Sequence, residues 1–491
     1  MKKSIFGILL CMEGAFLLLT MIVSLFYEEN DWWAYLVSAA VSITTGRICI
    51  WLSKKHNSNR RFTRSDSFMI VTLSWVLFSI IGMLPFILVE KMDVSSAFFE
   101  TMSGFTTTGA TVISDIDSMT YALRFWRALT QWMGGLGIVV FSFALIPVSE
   151  MKNNNIFSAE VTGIGLDKIR PKIGSTARRL LAIYLILTIV CAGLYYIGPM
   201  NIYDAVCHAL STVATGGFST HSASIAYFHS GYIEYICAVF MVLSSINFSM
   251  FYYASIRKWH VIRHNEEMRV FLAVVICMTG FFCLLFYFSP VANESLHTLP
   301  HGIEETFRTA LFHVSSVISS TGFSAQKYDY VAWGAPYWMP TVVIMAVGAC
   351  AGSTAGGMKI IRALICAKSV KNEFIRQLHP NAVLGIRING NIVSEERIKN
   401  SLGFLFLYIS LVVFGMTVLT YIGLDADTGL GACISSLSNV GPATGMCGPS
   451  GTFANVPALG KWLLSFYMLV GRLEIYTVLF LFVPVFWKER K

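Results

Sequence analysis

The sequence predicts an all-α polytopic membrane protein: four related units of span, short helix, glycine loop and span, preceded by two further spans. Three observations carry that reading. Of 491 residues, 55% are hydrophobic and 13% charged, about half the charged fraction of a soluble domain. Ten apolar stretches reach the roughly 20 residues that a membrane helix needs. Four shorter apolar segments, regularly placed between them, end in similar glycine-containing strings. This composition excludes an ordinary soluble enzyme, a disordered chain and a collagen-like fibre.

The spans lie near 4–26, 32–53, 68–89, 123–148, 179–198, 231–255, 269–289, 338–366, 401–422 and 460–486. The first follows Lys2 and Lys3, but its apolar run is too long for a signal-peptide core and no small-residue cleavage site follows, so it reads as an uncleaved span. Cations set the orientation. Lys54, Lys55, Arg60, Arg61 and Arg64 follow the second span; Lys152, Lys168, Arg170, Lys172, Arg178 and Arg179 follow the fourth. Arg257, Lys258, Arg263 and Arg269 follow the sixth; Lys368, Lys371, Arg376, Arg387, Arg397 and Lys399 follow the eighth; Lys488, Arg490 and Lys491 end the sequence. The stretch 199–230 has no Lys or Arg. Ten spans with both termini cytoplasmic fit every loop. The 11 cysteines form no C-x-x-C pair, and most, such as Cys191, Cys237, Cys277 and Cys350, fall inside apolar runs, where cysteine behaves as a small hydrophobe.

Four outward loops carry segments near 94–105, 203–214, 306–318 and 427–438, too short to span and of re-entrant length. A re-entrant segment followed by exposed backbone is tolerated only inside protein or against a water-filled cavity, which suggests a pore. The segments end at Gly109, Gly217, Gly322 and Gly441, which are 108, 105 and 119 residues apart. Six residues before each glycine stands a serine (Ser103, Ser211, Ser316, Ser435); two before stands a small polar residue (Thr107, Thr215, Ser320, Asn439). A bare cation in a membrane needs oxygens in place of water, and a ring of backbone carbonyls can supply them. Glycine allows the unusual φ/ψ values that aim successive carbonyls at one axis, and neighbouring hydroxyls can hold the loop or add oxygens. The C-terminus of each short helix, with about −0.5 charge, favours a cation at the centre.

At these residues the chain resembles the TrkH type of potassium uptake protein in the Trk/Ktr/HKT superfamily. The resemblance covers essentially the whole chain. It rests on Thr106-Thr107-Thr108-Gly109-Ala110-Thr111, Gln131-Trp132-Met133-Gly134-Gly135-Leu136-Gly137, Gly216-Gly217-Phe218-Ser219-Thr220, Ala351-Gly352-Ser353-Thr354-Ala355-Gly356-Gly357-Met358-Lys359, Ser438-Asn439-Val440-Gly441 and Gly471-Arg472-Leu473-Glu474. The two extra N-terminal spans match the TrkH branch rather than the shorter Ktr branch. The resemblance implies four M1–P–M2 units around a pseudo-fourfold pore: an N-terminal two-helix unit at 1–64, then pore repeats at 65–150, 151–260, 261–370 (with a gating loop) and 371–491. It implies a potassium filter formed by Thr107, Thr108 and Gly109; Thr215, Gly216 and Gly217; Ser320, Thr321 and Gly322; and Asn439, Val440 and Gly441. Some plant relatives carry serine in place of the first glycine and favour sodium; here all four are glycine, so K⁺, with Rb⁺ also passing, is the implied transported ion. No covalently bound cofactor is implied.

The eighth span holds Gly348, Gly352, Ser353, Thr354, Gly356 and Gly357, too many small residues for one straight helix. The resemblance implies an intramembrane gating loop; close helix packing through small residues such as Gly348 and Gly352 is the alternative. Lys359 and Arg472 lie in or near the apolar zone, where ionisable residues are functional candidates by default. By resemblance, Arg472 faces the pore and holds the gate loop. Glu474 cannot share a helix face with it, and Lys359 reads equally well as a side chain that snorkels to the cytoplasmic edge. Gly134, Gly135 and Gly137 read best as sites of close packing. Glu100, His208 and His313, each nine residues before its glycine, read as satisfied groups that buttress the filter. The acids Glu90, Asp93, Asp115 and Asp117 read as a solvated outer face.

Potassium moving down its gradient through a gated filter in a bacterial inner membrane is the resulting expectation, and not an enzyme: no P-loop string is present, and membrane-depth His, Asp, Glu or Cys do not cluster. A symporter coupling potassium to protons or sodium is the alternative. The resemblance further implies a homodimer and a cytosolic nucleotide-binding regulatory ring (TrkA-like), and no nucleic acid. The basic segments near 149–178 and 367–400 are the surface for such a ring, and equally suit anionic lipid.

Overall fold

In the computed structural model, residues 2–55, 64–135, 137, 173–288, 300, 302–325, 328–382, 384–484 and 487 are described. Regular structure among them is helical apart from one two-stranded hairpin. Six helices are long and apolar enough to cross a membrane among the described residues: Ile5–Phe26, Trp32–Ser53, Phe68–Val89, Arg178–Ile197, Glu266–Tyr287 and Glu395–Tyr421. They correspond to six of the ten expected spans.

Helices α1 (Lys2–Phe26) and α2 (Trp32–Lys55) form an N-terminal hairpin. Their backbones meet at glycine: a Cβ on Gly7 would overlap the Gly46 carbonyl, and one on Gly46 would lie 2.7 Å from the Gly7 carbonyl. Without a hydrophobic drive between helices in lipid, such close approach supplies the attraction. The α1–α2 turn ties this pair to the first repeat. The Asp31 carboxylate accepts hydrogen bonds from Ser24 (2.5 Å), Tyr35 (3.1 Å) and Thr120 (2.7 Å). Glu29 accepts from the backbone N–H of Tyr121 (2.6 Å) and Ala122 (3.1 Å), donors at a helix start that have no partner within the helix.

The first repeat is α3 (Arg64–Gly82) with α4 (Leu84–Val89), the short helix α5 (Val94–Phe105) and α6 (Tyr121–Gly135). The second is α7 (Ile173–Ile197), α8 (Ile202–Ala214), α9 (Gly231–Ser244) and α10 (Phe248–Ser255). After α11 (Trp259–Arg263) come α12 (Glu266–Tyr287), α13 (Ile303–Ile318), α14 (Ala335–Val347) and α15 (Ile360–Leu378), and then α16 (Glu395–Tyr421), α17 (Ala426–Ser438), α18 (Ala458–Arg472) and α19 (Ile475–Leu479). The short helices α5, α8, α13 and α17 begin within three residues of the expected segments and end on the expected residues. Three share a start signal: Asp93, Asn201 and Asp425, each 16 residues ahead of its glycine, accept from the N–H of Ser96 (3.0 Å), Asp204 (2.7 Å) and Thr428 (3.0 Å), as N-caps do.

Two second spans expected as single helices are bent, and the eighth is interrupted as its small residues suggest. The span expected at 231–255 bends by 91° between α9 and α10, and the one at 460–486 bends by 117° between α18 and α19. Asn247 restarts the first by accepting from Ser249 N–H (2.8 Å); Glu474 turns the second at a φ of 62°. The span expected at 338–366 is interrupted from 348 to 359. In the first repeat α6 ends at Gly135, and Gly137 has a φ of 73°; residues 138–148 of that expected span lie outside the described residues. So do Arg60, Arg61, Lys152, Lys168, Arg170, Lys172, Lys488, Arg490 and Lys491. The sequence pattern did not indicate the hairpin of Arg387–Ile388 and Asn391–Ile392. Asn389 and Gly390, both with positive φ, form the kind of two-residue turn that favours Asn-Gly. The hairpin residues Ile386 and Ile388, with Val393, pack on Ala351, Ile361 and Ile365 in a cluster separate from the main core.

Gly46→Leu should force α1 from α2 and destabilise the protein by about 1–3 kcal/mol, as overpacking does, whereas Gly193→Ala, with open space around its Cβ position, should change little. Thermal unfolding in detergent compares the two; equal effects would mean that the Gly7–Gly46 contact does not hold the hairpin.

Candidate functional site

Each short helix ends in the same backbone path. The N–H of the residue before each glycine (Thr108, Gly216, Thr321, Val440) donates to the carbonyl of the repeated serine (Ser103, Ser211, Ser316, Ser435) at 2.9, 2.9, 3.0 and 2.9 Å. Any residue could supply that carbonyl; the serine hydroxyls add bonds of their own, from Ser211 to Gln131 Oε1 (2.7 Å), Ser316 to Phe323 O (2.8 Å) and Ser435 to Gly441 O (2.8 Å). The next residue back is left-handed in all four: φ is 53° at Thr107, 55° at Thr215, 54° at Ser320 and 54° at Asn439. The glycines follow at 81°, 81°, 77° and 100°, while the residue between keeps an ordinary φ. Left-handed threonine is a genuine outlier and persists only where its surroundings over-determine it. The alternation in φ keeps successive peptide groups from following either a helix or a regular strand.

The four strands close into a ring. A Cβ on Gly109 would overlap the carbonyl oxygen of Gly216; on Gly217, that of Thr321; on Gly322, that of Val440; and on Gly441 it would lie 2.6 Å from that of Thr108. The order runs first to second to third to fourth and back to first. Glycine is therefore required at these positions twice over, by φ and by the neighbouring carbonyl. On the side of the ring away from loop 348–359 lies a cavity of about 220 Å³ bordered by all four glycines.

Side chains behind the ring fix it. Glu100 and Arg127 form a fully buried ion pair at 2.9 Å. Glu100 also accepts from Thr111 Oγ1 (3.0 Å) and Val112 N–H (3.0 Å), and Arg127 donates to the Ser219 carbonyl (3.1 Å). His208 Nδ1 donates to the Asp204 carbonyl (2.8 Å), and its Nε2 accepts from Ser219 Oγ (2.9 Å). His313 is bonded to Tyr328 (3.1 Å) and Thr341 (2.8 Å). The three residues nine places before their glycines are thus buried, hydrogen-bonded braces. Sequence reasoning missed Arg127 and the role of Gln131; an arginine in the middle of an apolar helix was the available signal.

Loop 348–359 lies across the opposite side of the ring. Gly348, Gly352, Gly357 and Lys359 all have positive φ. The N–H of Gly356 donates to Ser320 Oγ (2.6 Å), and a Cβ on Gly356 would overlap the Ser438 carbonyl. Thr354 Oγ1 donates to the carbonyls of Val213 (3.3 Å) and Ser244 (3.2 Å), and Ser353 turns back onto Cys350 O (2.6 Å). Arg472 donates to Thr354 O (2.5 Å), Gly135 O (2.7 Å) and Gly134 O. Lys359 folds back onto Ala355 O, and Glu474 pairs with Arg362 rather than Arg472. Gly134 and Gly135 pack as expected: a Cβ on either would press on Phe105 or Ala214, the last residues of α5 and α8.

The ring and the bent spans can be set beside known proteins. A model of the TrkH cation transport protein family matches residues 36–489. The chain belongs to the TrkH family. The Trk system potassium uptake protein TrkH of Salmonella typhimurium is 34% identical to it, over 99% of this chain and 98% of that protein. TrkH of Halomonas elongata is 36% identical over the same shares. The crystal structure of the potassium transporter TrkH from Vibrio parahaemolyticus matches with a TM-score of 0.85 at 32% identity, covering 99% of both chains. The TrkH match therefore takes in all four glycine strands, loop 348–359 and Arg472.

Three of the outer acids of this TrkH-family chain are engaged rather than merely solvated; Asp115 accepts from the N–H of Asp117 (3.1 Å) and Ser118 (3.3 Å). Asp93 caps α5, and Asp117 meets His221, a residue at the cavity wall, at 2.7 Å; Asp204 lies 3.4 Å from the other ring nitrogen. Partial burial opposes charge on His221, but the hydrogen bonds and negative charges of Asp204 and Asp117 outweigh it and raise its pKa above the usual value. The resulting stabilisation is fully present below about pH 6.5 and is lost as pH rises through the raised value. The gap in unfolding temperature between the wild type and His221→Gln should therefore be widest near pH 6 and narrow in alkali. A gap independent of pH would mean that His221 is neutral in the folded protein.

Proposed function

We propose that the chain carries potassium down its electrochemical gradient, with the backbone of 107–109, 215–217, 320–322 and 439–441 as its selectivity filter and loop 348–359 as its gate. The observation that carries this reading is the closed ring, in which every glycine faces the carbonyl of the next repeat. Backbone carbonyls arranged around a closed ring, with the C-terminal ends of four helices leading into it, suit a dehydrated cation. Potassium as the ion rests on the names of the relatives, which are potassium uptake proteins, and on the presence of glycine in all four strands. Conduction without chemistry makes this a transporter and not an enzyme. Arg472 would hold the gate shut by bonding the loop at Thr354 and the end of α6 at once, and Lys359, anchored within the loop, would stiffen it.

The relatives belong to a Trk system, and we place this protein with a nucleotide-binding ring of TrkA type, as a homodimer in a bacterial inner membrane with both termini cytoplasmic. The basic residues of α15 and the adjoining hairpin would form part of the ring's docking face.

Flux of K⁺, Rb⁺ and Na⁺ into liposomes holding the purified protein tests the filter. Wild type should pass K⁺ and Rb⁺ far better than Na⁺, and Gly109→Ser, whose side chain must displace the Gly216 carbonyl, should lower that preference at least several-fold. Equal flux of all three ions, indifferent to Gly109, would sink the assignment. Arg472→Gln tests the gate. Hydrogen bonds from a charged donor contribute about 1.5–3 kcal/mol each, so their loss should raise basal potassium flux roughly tenfold or more. Unchanged basal flux would mean that Arg472 does not hold the loop.

A further inference from the structure

The second strand of the ring differs from the others. Immediately before its glycine it carries Gly216, where the other strands carry Thr108, Thr321 and Val440. Its φ does not demand glycine, because no positive φ is present there. Space does. A Cβ on Gly216 would fall on the side-chain amide of Gln131.

Gln131 is fully buried on α6, and each end of its amide is bonded to the second repeat. Nε2 donates to the Gly216 carbonyl (2.6 Å), while Oε1 accepts from Phe218 N–H (3.1 Å) and Ser211 Oγ (2.7 Å). The partners fix which way the amide points: a carbonyl can only accept and an N–H can only donate. Gln131 stands 22 residues after Gly109; the same step from the other glycines reaches Val239, Ile344 and Leu463, none of which has a hydrogen-bonding side chain. The Gly216 carbonyl is also the oxygen that abuts Gly109 and closes the first strand onto the second.

We infer that Gln131 is a positioning residue for the ring: it substitutes for the missing side chain of Gly216, sets the direction of the Gly216 carbonyl and so sets ion discrimination in that quadrant. The inference rests on the filter reading above. A packing role alone would require only volume. The observed role requires an amide, with its donor on the ring carbonyl and its acceptor on the strand that follows.

The experiment measures the preference for K⁺ over Na⁺ in two ways: ⁸⁶Rb⁺ uptake into liposomes in competition with KCl or NaCl, and the rise in unfolding temperature of detergent-solubilised protein on adding KCl or NaCl, which needs no open gate. The set is wild type, Gln131→Glu, Gln131→Ala, Gly216→Thr, Gln131→Ala with Gly216→Thr, and Gly109→Ser. Gln131→Glu keeps the shape and the acceptor; ionised it has no donor, whereas protonated its O–H can still donate, so the K⁺ preference should fall about tenfold, the worth of one hydrogen bond, at pH 9 and recover at pH 5. Gln131→Ala should lower it at both pH values. Gly216→Thr alone should disrupt the ring, whereas the same change in the Gln131→Ala background, where space has opened, should recover part of the preference. Gln131→Glu and Gln131→Ala that fold and keep the wild-type preference at pH 9, while Gly109→Ser loses it, would overturn the inference and leave the filter standing. Indifference of Gly109→Ser as well would remove both. If Gln131→Ala does not fold, Gln131→Glu decides alone.

Discussion

Everything in this molecule is arranged around four glycines that have no room for a side chain. Each lies against a carbonyl of the next repeat, so the ring closes only if all four are bare and all four turn to positive φ. Backbone this irregular cannot face lipid; at membrane depth it must be buried in protein or line a water-filled cavity. The surrounding helices meet that demand. The short helices lead the chain in, their repeated serine carbonyls take the N–H just before each glycine, and Glu100, Arg127 and His208 brace the first two strands from behind while His313 braces the third short helix against Tyr328 and Thr341. The buried Glu100–Arg127 pair belongs to this scheme. A buried ion pair is weak grounds for stability as such, but with its remaining bonds going to Thr111, Val112 and Ser219 it holds the first two strands in register.

The same constraint explains the second spans. A straight helix would pass beneath the ring without releasing any backbone. Here the helices break, and the released groups are taken up by one another: Phe248 N–H donates to Gly352 O (3.0 Å) and Cys350 N–H to Ser245 O (3.2 Å). The bend at 245–247 and the loop at 348–359 are therefore two halves of one arrangement. Glu267, which accepts from Ala351 N–H at 2.6 Å, closes the loop's near end, and the hairpin cluster with Ile386 and Ile388 supports it from below.

Much of this was legible in the sequence because repetition reveals it. Four glycines with the same serine and a small polar residue ahead of them identify the strands, and hydropathy places the short helices almost to the residue. What repetition does not carry was missed. The bends at Ser245–Asn247 and Leu473–Glu474 sit in runs whose mean hydropathy is that of a normal span, and a window average is blind to two polar residues. Asn389-Gly390 marks a hairpin, but a two-residue strand pair is too short for period-2 alternation to register. Gln131 and Arg127 lie in a helix read for its apolar length, and the second-repeat groups they bond, Gly216, Phe218, Ser211 and Ser219, are about 80–90 residues away. The Asx caps at Asp93, Asn201 and Asp425 were within reach, as a fifth repeated feature at constant spacing.

Pseudo-symmetry has a consequence for closing such a ring. On the reading proposed above, one gating loop beneath the ring is enough. The structure breaks its symmetry accordingly. Among the described residues the third repeat has the longest break, a 12-residue loop spanning 348–359, and that loop then touches every repeat. It meets the first through Arg472, which joins Thr354 O to the carbonyls of Gly134 and Gly135. It meets the second at Val213 and Ser244, its own at Ser320, and the fourth at Ser438. A segment bound to all four units cannot move with any one of them. On the gating reading proposed above it would leave as a whole, and Arg472, which bonds the loop and the end of α6 together, is the side chain that would have to let go.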